Sequence, residues 1–402
     1  MSSASALVRS RCVPQGPTLD LADSRAHALS DSYLDVGDAL VSGSLTAVGF
    51  VHPAVGGRTA AVAIVSGPSN PGMRIVDLGP TLGDAPPPRL ALRGDEWLAV
   101  AYGLPTEEIR RELDVYRIPP GGEASVRQLR VFEQRDDSFG FDVASLGWTT
   151  LVVWDEVAEG PRGVVRAAAF APGDAAATPV ALSPPDADVE LPRVVVTPPG
   201  FTVLWVARQP DAKPALGDRS VAESPGETAA FGWLESVAVD EHGARTGPSH
   251  RLTSPRGHVS AYDVQRLPGE GPLLVVARDD GETVDGSGGL LLRVVIDGER
   301  IAPPLAFATD GLGRGGPELV DGPSIWLSWV GPEESLRLMP LDRTGSPLGP
   351  PSVEDAMNDA RPLVALSGAL EALPDAARQT ARLLVASPDG APGGLRAFAC
   401  VP

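Results

Sequence analysis

A phrase that comes round seven times predicts an all-β chain: seven four-stranded antiparallel blades set in a ring, a β-propeller. Three observations carry the prediction. The apolar strands Leu45–Val51, Trp97–Tyr102, Thr150–Trp154, Thr202–Ala207, Leu273–Ala277, Ile325–Val330 and Arg382–Ala386 each follow an extended run and a turn. Aligned on Val48, Val100, Val152, Trp205, Val275, Ser328 and Leu384, they are spaced by 52, 52, 53, 70, 53 and 56 residues. Short strands at such a period mark propeller blades. Second, Gly 45 and Pro 41 in 402 residues supply the punctuation that many tight turns need. Third, strands such as Leu151-Val152-Val153-Trp154 are apolar on both faces, as a sheet packed between two other sheets requires.

Taken in order, the blades of this one expected domain fall at about 29–78, 79–133, 134–184, 185–255, 256–310, 311–355 and 356–402, the last completed by 6–13. The third unit is the plainest. Phe141–Ser145 reads as its inner strand, Trp148–Trp154 and Val164–Phe170 as its central pair, and Thr178–Ser183 as its outer strand. Leu146-Gly147 and Pro172-Gly173-Asp174 make the turns. The second unit repeats this with Arg89–Leu92, Glu96–Tyr102, Glu112–Ile118 and Val126–Phe132. Units four to six open on Arg193–Val196, Tyr262–Gln265 and Glu318–Val320 and follow the same order. Helical periodicity is scarce; only Ala369–Gln379 reads as a short helix.

The seventh unit runs short. After Arg361–Leu366, Thr380–Ala386 and Leu395–Cys400 the sequence stops without an outer strand, while Ala6–Val13 precedes the first unit and has no blade of its own. Pairing Ala6–Val13 beside Leu395–Cys400 closes the ring and removes two open sheet edges. The chain's two cysteines, Cys12 and Cys400, then sit on adjacent strands and are expected to form a disulfide. A disulfide implies an oxidising compartment, so the protein is expected to be exported, to periplasm, cell surface or extracellular space. No signal peptide is read in residues 1–30.

Charge narrows the partners. A net charge of −19 with no basic patch excludes nucleic acid, and no apolar stretch is long enough for a spanning helix. Only Lys213 among 33 basic residues is a lysine, a mark of GC-rich coding. With apolar strands that end in Trp or a small residue before an acidic turn, as in Trp154-Asp155-Glu156, residues 29–402 resemble generic secreted bacterial seven-bladed propellers. Motifs of narrower families are missing. Gly257-His258 occurs once, and Trp154-Asp155 falls at the end of the second strand rather than the third. Ser387-Pro388-Asp389-Gly390 begins like a sialidase-type Asp box but lacks its Thr-Trp, and kelch double glycines are absent. The resemblance therefore transfers no catalytic residue.

Two patterns could carry recognition. The loops between the second and third strands, and those between blades, share one face of a propeller. They carry Glu107-Glu108, Asp136-Asp137, Asp155-Glu156, Glu159, Asp186, Asp188, Glu190, Asp279-Asp280, Glu282, Asp285, Glu333-Glu334, Glu354-Asp355 and Asp359. An acidic loop face is expected, one that attracts cationic segments. At the start of the inner strands, Asp35, Arg89, Asp142, Arg193, Asp263 and Glu318 (with Arg361 one place early) form a polar ring of mixed sign at the channel mouth. Such a ring serves either as inter-blade ion pairs or as a pocket for a small zwitterion or sugar.

No cofactor is expected. Asp279–Gly286 is the one stretch with the carboxylates and glycines of a Ca²⁺ loop, but its spacing is not that of a twelve-residue EF-hand. His242, His250 and His258 fall on different parts of their blade and do not make a zinc site. No nucleophile elbow or Ser–His–Asp spacing is present, so no catalytic residue is assigned. The 70-residue spacing reflects an insertion in the Arg208–Ala230 loop, where partner contact is expected. The expected function is thus a non-enzymatic binding or scaffold module, monomeric unless part of a larger assembly, docking a protein or glycan partner on the acidic face. The alternative is a carbohydrate-active or Ca²⁺-dependent hydrolase or lyase using channel-mouth carboxylates.

Overall fold

The structure is a computed structural model that describes residues 8–9, 12–21, 35–55, 57–66, 72–104, 111–119, 124–131, 140–157, 162–174, 177–209, 231–281, 289–307, 309–320, 325–354, 361–366, 381–386 and 394–400. Seven sheets stand in a ring; six run in chain order from an inner to an outer strand, and the seventh takes its outer strand from the N-terminal segment. Blade 1 comprises Asp35–Ser42, Leu45–Ala54, Gly57–Ser66 and Gly72–Thr81; blade 2 comprises Arg89–Arg93, Glu96–Tyr102, Arg111–Ile118 and Ser125–Val131. Blade 3 is built from Phe141–Leu146, Thr149–Val157, Gly163–Phe170 and Val180–Ala181, and blade 4 from Asp188–Thr197, Gly200–Arg208, Gly232–Val239 and His250–Arg251. Blade 5 holds Val259–Arg266, Leu273–Asp279 and Leu290–Asp297, edged by Arg300–Ile301 and Leu305–Ala306. Glu318–Val320, Ile325–Val330, Leu336–Leu341 and Ser352–Val353 form blade 6, and Arg361–Leu366, Ala381–Ala386 and Gly394–Cys400 begin blade 7. Each inner strand neighbours the next, and Arg361–Leu366 neighbours Asp35–Ser42, which completes the circle.

Local chemistry explains the hairpins. The first turns of blades 2 and 3 are two-residue loops opening on Gly94 and Gly147, at φ 64° and 59°. Tight hairpins require this left-handed backbone, which glycine adopts without a Cβ clash. The core lies between blades. Among the described residues, seven apolar clusters each span two adjacent sheets. Trp97 sits between blades 1 and 2, Trp154 between 2 and 3, Trp205 between 3 and 4, and Trp326 between 6 and 7, all fully buried.

The N-terminal segment closes the ring, with its span corrected. Cys12–Asp20, not Ala6–Val13, is the outer strand of blade 7, antiparallel to Gly394–Cys400 with Cys12 opposite Cys400. Val8–Arg9 instead pairs parallel with Ser352–Val353 at the edge of blade 6. The strand contains Pro14, Gly16 and Pro17, residue types more usual in turns. An edge strand tolerates them because one row of its amides faces away from the ladder, and the pairing is irregular between Gln15 and Leu19. The disulfide is present: Cys12 and Cys400 are joined across 388 residues with Cα atoms 4.1 Å apart. Ala369–Gln379 lies outside the described residues, as does most of the Arg208–Ala230 loop.

Candidate functional site

The inner strands enclose a central cavity of about 1050 Å³. Inner strands descend from the loop face toward the first turn of each blade. Arg89, Asp142, Arg193, Asp263 and Glu318 all line the cavity. Asp35 does not; it pairs with Arg58 at 2.6 Å on the surface. A β-bulge between Val36 and Ala39 shifts blade 1's register, and Asp38 is the acid that faces the cavity there, ion-paired with Arg89. A bulge of this kind carries no sequence signature, which is why the periodic alignment selected Asp35.

The two aspartates act alike. Asp142 accepts the Val143 amide on Oδ1 and the blade 4 amide of Val194 on Oδ2, both at 2.9 Å. Asp263 accepts the Val264 amide at 2.9 Å and the blade 6 amide of Leu319 at 2.7 Å. Each carboxylate thus joins two inner strands. Burial pushes both carboxyls up from their usual range; Arg193 pulls both back, and Arg89 also lowers Asp142. Arg89 is raised in spite of burial, because Asp38, Asp142 and Asp263 favour its cation.

Tyr262 and Leu191, not singled out in the sequence, complete the wall. Leu191 stands at φ 56°, a left-handed conformation that is strained for a leucine, within the bulge between Glu190 and Arg193. Two neighbouring blades hold it there. Its amide donates to Asp155 Oδ2 of blade 3 at 2.8 Å, and its carbonyl accepts the Tyr262 hydroxyl of blade 5 at 2.7 Å. Burial raises the Tyr262 phenol well above its ordinary value.

Among the described residues, most acids of the loop face are turned inward. Asp155, Glu156, Asp188, Glu190 and Glu354 are buried. Glu156 accepts from Trp154 Nε1 at 3.0 Å and pairs with Arg166; Asp188 accepts the Gly163 amide at 2.8 Å; Glu190 pairs with Arg208 at 2.5 Å. Asp279 accepts the His258 and Gly281 amides at 3.0 Å, and Asp280 pairs with Arg278 at 2.5 Å. Inter-blade amides and guanidinium groups need partners once removed from water, and these acids supply them. Asp186, Glu333 and Glu334 remain exposed on this face. Glu107, Glu108, Asp136, Asp137, Glu159, Glu282, Asp285, Asp355 and Asp359 lie outside the described residues. Among the described residues no group of three His, Cys, Asp or Glu side chains is placed to hold a metal ion, and no helix is long and apolar enough to cross a membrane.

No family profile and no curated protein matches the sequence. Among solved structures the chain is similar to a prolyl endopeptidase, at 12% identity and TM-score 0.46 over 88% of this chain and 47% of that one. It is similar to the acylaminoacyl peptidase of Pyrococcus horikoshii at 10% identity and TM-score 0.48, over 90% and 50%. The fucose-specific lectin of Aleuria aurantia matches at 11% identity and TM-score 0.44, over 80% and 95%. The chain spans about half the length of the two peptidases. Likeness at this level carries nothing about ligand or reaction.

Proposed function

We propose that the protein is a non-enzymatic binding or scaffold module of an oxidising, exported compartment, and that it receives a protein or glycan partner on the loop face where the channel opens. One observation carries the reading: Asp142 and Asp263 each engage backbone amides through both carboxylate oxygens. Carboxylates fixed in this way make a rigid, preorganised polar wall, which favours binding. They are poorly arranged for general acid–base work, which needs an oxygen free to exchange its proton with substrate. Among the described loop acids, Asp186, Glu333 and Glu334 are exposed on that face.

The test is photo-crosslinking in the native envelope fraction, with the crosslinking residue placed at Glu333 on the loop face or at Trp148, 69% exposed on the opposite face. Partner adducts are expected from position 333 and not from 148. Adducts from 148 alone overturn the docking face. Turnover of a substrate that Asp142→Asn abolishes, with binding retained, overturns the non-enzymatic reading in favour of the hydrolase or lyase.

A further inference from the structure

Arg193 is the one basic side chain on the upper cavity wall without a hydrogen bond or ion pair among the described residues; Arg89, its counterpart in blade 2, is paired with Asp38. The strained bulge that precedes Arg193 is gripped by Asp155 from one side and Tyr262 from the other. Backbone strain held by flanking blades places a side chain at a fixed position, and such strain persists only where surrounding structure enforces it. Asp142 and Asp263 lie near enough to Arg193 to interact with its charge, but neither makes an ion pair with it, and their oxygens accept backbone amides. A guanidinium left open in a cavity offers a fork matched to a carboxylate.

Charge on the rest of the wall decides what the carboxylate belongs to. Among the described residues, four acids of the upper wall, Asp38, Asp142, Asp263 and Glu318, face two guanidinium groups there, Arg89 and Arg193, while a third, Arg266, lines the far end of the cavity and donates to the Glu270 and Gly271 carbonyls. A simple anion at Arg193 would be repelled by that excess, and a simple cation would be repelled by Arg193. Below the ring the lining is apolar on blades 1, 2 and 4, with Leu40, Val41, Leu92, Val195 and Val196 partly exposed to the cavity, while blades 3 and 5 add Ser145 and Gln265. A neutral polyol would leave the apolar strands of this lower wall unmatched.

Resting on the binding-module reading, the geometry points to a zwitterionic amino-acid-type ligand in the central cavity: its carboxylate on Arg193, its ammonium among the ring carboxylates, and an apolar side chain below. A free hydrophobic amino acid or a short peptide with both termini free has this chemistry, and the cavity of about 1050 Å³ accommodates either.

Isothermal titration of the disulfide-intact chain with L-leucyl-L-leucine tests this, alongside the C-terminal amide, the N-acetyl dipeptide and L-seryl-L-serine. One-to-one binding of the leucine dipeptide is expected, with each of the other three weaker by about tenfold or more, as loss of a charge-assisted contact or of apolar burial implies. Arg193→Gln should bring the dipeptide down to the level of its amide while leaving the amide itself within about twofold, the signature of a direct coupling. Arg193→Lys, which keeps the charge without the fork, should fall between. Should Arg193→Gln misfold, Arg193→Lys and the analogue series on wild-type protein still decide the matter. Equal affinity for the dipeptide and its capped analogues, or no binding of any probe, overturns the ligand class and leaves the loop-face reading to its crosslinking test. Hydrolysis of the dipeptide overturns the non-enzymatic reading itself.

Discussion

Glu354 Oε2 accepts the backbone amide of Cys12 at 3.2 Å, joining residues 342 positions apart. Its other oxygen accepts the Ser352 hydroxyl at 2.6 Å. The carboxylate is fully buried, and it stands where the N-terminal segment leaves the edge of blade 6 at Val8–Arg9 and enters blade 7 at Cys12. One side chain therefore fixes the crossing point of the strand that closes the ring. Glu354→Ala leaves buried donors unmet, and the expected cost is about 1–3 kcal/mol. Glu354→Gln, which keeps one acceptor, should cost less. Urea unfolding under non-reducing conditions measures both; an alanine variant as stable as wild type would contradict the role.

Blade 1 meets blade 2 at a proline run that leaves no room for a side chain. A Cβ on Gly49 would lie 2.4 Å from the Pro88 carbonyl oxygen, so Gly49→Ala must push the two sheets apart. A loss of about 1–3 kcal/mol is expected, the usual scale of overpacking. Gly83 has nothing within 4 Å of its would-be Cβ and no positive φ, so Gly83→Ala serves as a near-neutral control. Thermal midpoints that shift equally for the two variants would contradict the close approach.

Much of this architecture is legible in the sequence because each blade is sandwiched. Strands such as Leu151–Val153 and Val203–Val206 must be apolar on both faces, and that pattern survives wherever two other sheets cover the strand. Outer strands lose the signal. Blade 3's shrinks to Val180–Ala181 and blade 4's to His250–Arg251, with those residues exposed. The closing strand was masked by Pro14 and Pro17, whose usual meaning is a turn. In the cavity, Arg89, Asp142, Arg193, Asp263 and Glu318 all line the wall, and the first four follow from the repeat because each stands four or five residues before the first turn of its blade. Asp38 and the Leu191–Tyr262 contact do not, since both depend on bulges in blades 1 and 4. Loop acids such as Asp155 and Glu190 read as solvated charge, because nothing in a single strand announces which amide of the neighbouring blade will need an acceptor.

Asp114 makes stability depend on pH. Burial raises its carboxyl to about 6; the Tyr116 hydroxyl, 3.3 Å away, opposes the shift, and Glu112 adds to it. Asp114 Oδ1 has no hydrogen-bond partner among the described residues. The folded state therefore holds this proton more tightly than the unfolded chain, whose aspartate titrates near 4. Stability falls as pH rises from about 4 to about 6 and is level above, with a swing of about 1–2 kcal/mol after allowance for solvent screening. Asp114→Asn removes the swing. Relative to wild type, the variant should gain stability at pH 7.5 over pH 4.5 in urea unfolding. An unchanged difference between the two pH values would contradict the assignment.

The account depends most on a ring closed by its own N-terminal strand, with Cys12 facing Cys400 at the seam. Removing that crosslink should cost about 2–5 kcal/mol, since it constrains a loop of 388 residues in the unfolded chain. Peptide mapping by mass spectrometry, after denaturation and alkylation without reductant, tests the closure most directly. The expected result is a single linked species containing Cys12 and Cys400, with neither sulfur alkylated. Two separate peptides, each carrying the alkyl group, would contradict it.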